Sequence, residues 1–143
     1  MPNFKVRLGS IGGTAALTVG LMVAAATPAP AVVVHDNFSF GGFSIPSEKS
    51  WSISVHNDTK GKSAGYVEWR GNGDLLIAHD RLADGYGIEA HLSTGRVAST
   101  AGQSSPVTVE KPGNLTENRS YEMWVCVVKG SFKRCSSKTD VRS

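Results

Sequence analysis

Gly65-Tyr-Val-Glu-Trp-Arg70, Gly71-Asn-Gly73, Asp74-Leu-Leu-Ile-Ala-His-Asp80, Arg81-Leu-Ala-Asp-Gly85 and Tyr86-Gly-Ile-Glu-Ala-His-Leu92 follow one another without a break, and their reading decides the fold. Three runs of alternating apolar and polar residues are separated by loops of Asn, Asp and Gly, which is the pattern of a three-stranded antiparallel meander. A type I′ turn at Asn72-Gly73 sets Trp69 opposite Leu76 and Val67 opposite Ala78. Carrying the same face around the second loop requires Ala78 opposite Ile88 and Leu76 opposite Ala90. One apolar surface results, made of Val67, Trp69, Leu76, Ala78, Ile88, Ala90 and Leu92. Glu68, Arg70, His79, Glu89 and His91 fall on the other face, where Leu75 and Ile77 are exceptions that imply cover by another segment.

Upstream, residues 1–31 read as a secretory signal. A short basic head (Lys5, Arg7) precedes an apolar, Ala-rich run from Thr14 to Ala26, and Ala29-Pro30-Ala31 supplies small residues for a signal peptidase. Cleavage after Ala26 is the alternative to cleavage after Ala31. The absence of an adjacent Arg pair points to the general secretion route. The apolar run is shorter than the roughly 20 residues of a membrane span, and no second run follows, so the expectation is an exported, extracellular protein with no span after processing. Removing Lys5 and Arg7 from 15 basic residues leaves 13 against 12 acidic ones, so the mature part gives no reason to expect a nucleic-acid partner. Lys129, Lys133, Arg134, Lys138 and Arg142 do cluster near the C-terminus, opposed there by Asp140, and read as a solvated, association-resistant edge or as a site for anionic polymers.

Residues 32–143 are expected to form one all-β domain, a single antiparallel β-sandwich or small barrel of about 7–8 short strands. No window of a dozen residues keeps helical apolar spacing without Gly or Pro. Within 32–64 the strands are less sharply marked. Val32 to His35 reads as a short first strand, 37–50 as a turn-rich segment, and Trp51 to His56 as a clean alternation with Trp51, Ile53 and Val55 on one side. The meander occupies 65–92. Residues 93–105, rich in Ser, Thr, Gly and Ala, read as a flexible loop. Pro106 to Val109 reads as an edge strand, because Pro lacks the ladder donor. Residues 121–136 read as a closing hairpin.

That hairpin holds both cysteines. A type II′ turn at Gly130-Ser131 pairs Lys129 with Phe132 and places Cys126 opposite Cys135 in a non-hydrogen-bonded pair, where Cα atoms approach closely enough for a disulfide. A redox or zinc pair is the functional alternative, but a separation of nine residues matches neither Cys-x-x-Cys nor a zinc ribbon.

The run from Gly73 to Ala90, followed downstream by Val125-Cys126-Val127 and Arg134-Cys135-Ser136, resembles small secreted actinobacterial proteins of unknown function, in which a strand ending in Asp meets an Ala-Asp-Gly turn and a Cys-containing hairpin closes the domain. The resemblance spans 65–138. It implies a bacterial exported β domain and carries no activity, cofactor or ligand. This chain has one Cys pair where many of those proteins have more.

No catalytic motif is recognisable, and no cofactor is indicated. Asp80 and Asp84 form an Asp-x-x-x-Asp-Gly pattern that invites a calcium reading, but alternating oxygen ligands and a distal Glu are missing. The structural reading has Asp80 accepting loop N–H groups and Asp84-Gly85 supplying a positive-φ step. His79, Glu89 and His91 share a face in the meander register and are weak candidates for a surface zinc or copper site or an acid/base pair. His35-Asp36, beside the cleavage site, is expected to be unanchored. Trp51, Trp69 and Trp124 are candidates for a binding surface, with burial the plainer expectation for each. The Asn-x-Ser/Thr triplets at Asn37, Asn57, Asn114 and Asn118 matter only in a eukaryotic secretory pathway. Two readings of function remain: a non-catalytic extracellular module that binds a protein or cell-surface polymer, and a small secreted enzyme or inhibitor whose site is assembled from loops.

Overall fold

The alternation in β3 (Lys62–Arg70) buries every second side chain, and the same period in β4 (Leu75–Asp80) and β5 (Gly87–Leu92) produces the two layers of a β-sandwich. A computed structural model describes residues 29–45 and 49–143, so most of the predicted signal segment lies outside the described residues. Residues 33–143 form one unit. Its first sheet runs β1 (Phe38–Ile45), β2 (Ser50–Asn57), β3, β4, β7 (Val107–Lys111). The second runs β10 (Thr139–Arg142), β8 (Ser120–Lys129), β5, β6 (Val97–Ser99), with β9 (Phe132–Cys135) also pairing β8. All pairings are antiparallel. Among the described residues there are ten strands, against the expected seven or eight. Among the described residues no helix is long and apolar enough to cross a membrane.

The register of the β3–β4 hairpin is the expected one, with Val67 opposite Ala78 and Trp69 opposite Leu76. Its turn is different. Gly73 and Asp74 have positive φ (97° and 50°) and Asn72 does not, so the positive φ falls at the third turn position, as in a type II turn, rather than at both central residues as type I′ requires.

The meander does not continue into β5. Arg81 N and Leu82 N both donate to Ala64 O, turning the chain off the first sheet, and β7 takes the free edge of β4 while β5 joins β6 and β8 in the opposite sheet. The predicted apolar surface nevertheless survives. Val67, Trp69, Leu76, Ala78, Ile88, Ala90 and Leu92 all belong to the core, because strands that face each other across a sandwich point their apolar sides to the same interior as strands that pair. Ile77, facing away from that core, is also fully buried.

Other boundaries shift as well. Val32 to His35 is not a strand; the first strand is β1, inside the segment read as turns. Residues 93–105 are not one long loop. They contain β6, with Ala98 and Thr100 fully buried, and Thr100 Oγ1 accepts from Ile88 N. The predicted hairpin stands as read: Lys129 pairs with Phe132, Cys126 with Cys135, and the two cysteines are joined in a disulfide with a Cα separation of 4.0 Å. Gly130 has a positive φ of 56°, as the first central residue of a type II′ turn requires.

Candidate functional site

Three loops meet at one end of the sandwich: the crossover from β4 to β5, the segment after β6, and the tip of the β8–β9 hairpin. Between them lies an open cleft of about 790 Å³. Gly102 and Gly130 leave bare backbone in its wall, Gly85 lies beneath the Lys129 ammonium and Gly87 against Ala101, while Gln103, Lys129 and Lys133 bring polar side chains. The disulfide, two ladder positions behind Lys133, ties together the two strands that carry this wall.

Asp84 shapes the crossover. Its Oδ1 accepts from Tyr86 N (3.0 Å) and its Oδ2 from Asn57 Nδ2 (2.8 Å), and Gly85 then takes a φ of 79°. Asn57, fully buried, also donates to Asp36 Oδ2 (2.8 Å), so one amide bridges two carboxylates. The Asn57 bond, with the Lys60 charge, holds the Asp36 carboxyl below its ordinary value against desolvation. His35 stacks on Phe132 at 4.4 Å, and Asp36 N donates to the Tyr86 hydroxyl. The His35-Asp36 pair, expected to be unanchored, therefore closes one side of the hairpin tip.

Asp80 is buried, accepts from Leu82 N (3.3 Å) and faces Thr100 Oγ1 (3.5 Å). Burial pushes its carboxyl above the ordinary range; hydrogen bonds from Ser105, Leu82 and Thr100 oppose that, and the charge of Asp84 adds to it. Each aspartate thus has its own loop partners, the arrangement the structural reading describes.

His79, Glu89 and His91 are not brought together. His79 lies on the outer side of the first sheet, stacked on Tyr66 at 4.1 Å, with Nδ1 2.9 Å from Thr108 Oγ1 and Nε2 3.8 Å from Glu68. Burial lowers its pKa. Glu89 and His91 lie on the outer side of the second sheet. Glu89 meets His91 Nε2 at 3.0 Å, Lys133 Nζ at 3.0 Å and Ser99 Oγ at 3.2 Å. Burial raises the Glu89 carboxyl, but the Lys133 and His91 hydrogen bonds and charges outweigh it and hold the group below its ordinary value. Ser99 and His91 both turn to this carboxylate, so the arrangement anchors an anion at the cleft wall rather than activating a serine. Their separation from His79 follows from the crossover, which puts the two histidine strands in different sheets. Among the described residues no group of three or more His, Cys, Asp or Glu side chains is placed to hold a metal ion.

The tryptophans do not form a row. Trp69 is fully buried and donates to Arg142 O (2.8 Å); Trp51 is partly buried against the core; Trp124 stacks on His91 at 5.3 Å beneath Lys138. Lys129 is the cleft residue that stands apart. Its ammonium sits 4.5 Å over the Tyr86 ring and its charge helps to hold the Asp36 carboxyl low, but among the described residues it makes no direct ion-pair contact. The C-terminal basic cluster signalled Lys129 and Lys133 in the sequence, but the loop after β6, read as flexible, concealed the opposite wall. Comparison with protein-family models, curated proteins and solved structures returns no match to this chain.

Proposed function

We propose that the chain is exported and that its mature domain is a non-catalytic extracellular module, of the kind seen in small secreted actinobacterial proteins, that holds a segment of an anionic cell-surface polymer. The observation that carries this reading is the cleft itself: about 790 Å³, open, with bare backbone at Gly102 and Gly130 and two lysines at its edge, of which Lys133 is ion-paired to Glu89 while Lys129, among the described residues, makes no direct carboxylate contact and feels the charge of Asp36. An extended polymer suits bare backbone walls, since N–H and C=O groups can be approached without side chains intervening. The disulfide supports the extracellular part of the reading, because such bridges persist in oxidising compartments.

Isothermal titration with a uronic-acid polysaccharide, a polyol-phosphate polymer and a neutral glucan tests the proposal. Binding to at least one anionic polymer is expected, weakened by added salt and reduced about tenfold or more by Lys129→Glu. Binding to the neutral glucan alone, or affinity unmoved by Lys129→Glu, would refute it.

A further inference from the structure

Strands border the two sheets on four sides, and three of these borders are blunted. β6 is three residues long and lies against β7; β7 follows Pro106 and carries Glu110 and Lys111; β9 carries Lys133 and Arg134, and β10 carries Asp140 and Arg142. Short length, charge and proline are the devices by which sheets avoid pairing with other chains. Within its own span β1 has none of them, although Pro46 follows it. Its eight residues, Phe-Ser-Phe-Gly-Gly-Phe-Ser-Ile, contain no charge and no proline, and its ladder to β2 runs through all eight without a register shift. The backbone N–H and C=O groups of every second residue therefore face away from β2, and among the described residues no strand lies beside them. Phe43, on the outer face, is 58% exposed.

We infer that a second copy of this chain adds its own β1 to that edge, antiparallel, joining two five-stranded sheets across a two-fold axis. The strand is complementary to itself. A two-fold perpendicular to the sheet keeps both outer faces on one side, so outward residues oppose outward residues. With Gly42 on the axis, Phe43 lies opposite Gly41 of the partner subunit. Gly41 leaves open backbone on the outer face, bordered by Ser54 Oγ, 3.1 Å from where a Cβ would stand. Each exposed ring thus covers a glycine of the other copy, twice by symmetry. The absence of charge in β1 also selects its occupant. An acidic or basic peptide would have to lay its charges along an uncharged strip, whereas a second β1 brings none.

Sedimentation equilibrium of the purified protein tests this. A concentration-dependent dimer is expected. Phe43→Lys should raise its dissociation constant about tenfold or more while the circular dichroism and melting midpoint of dilute protein stay unchanged. Gly41→Val, which fills the slot from the other side of the contact, should act in the same direction. A monomer at every concentration, or a dimer that survives both substitutions, overturns the inference.

Discussion

Asp80 shows how much one side chain can report about its surroundings. Its carboxyl is buried beside Thr100 and Ser105 at the root of the crossover, and desolvation raises its pKa above the ordinary 3.8. A carboxyl whose folded value is raised binds its proton more tightly in the folded state. Its contribution to stability is therefore fully present below 3.8 and is lost as pH rises through the folded value. Asp80→Asn removes this titration. Urea unfolding at a series of pH values should show wild type losing stability relative to the variant across that window; a difference that does not change with pH would contradict the assignment. The identity of Asp80 was legible as a loop-capping residue. Its burial was not, because that depends on Thr100, which arrives from a segment whose composition suggests no structure.

Among the elements, β4 carries the sharpest test. Leu76 is fully buried and faces the core, Leu75 is half-buried on the other side, and Ile77 is fully buried on that same outer side. Leu76→Ala should cost about 2–5 kcal/mol as a core truncation, and Leu75→Ala distinctly less, when their unfolding free energies are compared. Equal losses would mean that Leu75 is as well packed as Leu76. The strands of the first sheet and its neighbours differ in how readable they were. The β3–β4 register follows from alternation and a short loop, whatever the turn type. β1 was missed because Gly41 and Gly42 break the apolar pattern in mid-strand, and β10 because its four residues are too few to show a period.

Across the whole molecule, β8 is the strand on which the second sheet is assembled, since β5 takes one edge and β9 and β10 share the other. The disulfide closes the C-terminal part of that assembly and the wall of the cleft together. Replacing Cys126 and Cys135 by Ser should lower the unfolding free energy by about 2–3 kcal/mol, measured by denaturant titration. The native protein should show no free thiol by alkylation and mass spectrometry. Two alkylatable cysteines would contradict the bridge, and an unchanged midpoint in the double variant would mean that the hairpin is held by its ladder alone.

By itself the sequence determined everything that local period and turn chemistry can specify: an all-β chain, the inward faces of β3, β4 and β5, the β3–β4 and β8–β9 registers, the disulfide, and the positive-φ step at Asp84-Gly85. Alternation states which side chains point inward, but it carries no information about what lies opposite them. Whether β5 pairs with β4 or faces it across the core was decided in the tertiary structure, by Ala64 O drawing Arg81 N and Leu82 N off the first sheet and by β7 and β8 competing for the free edges. The same choice separated His79 from Glu89 and His91. It also assembled the cleft from three loops that are distant in the chain, which no spacing of residues along the sequence could announce.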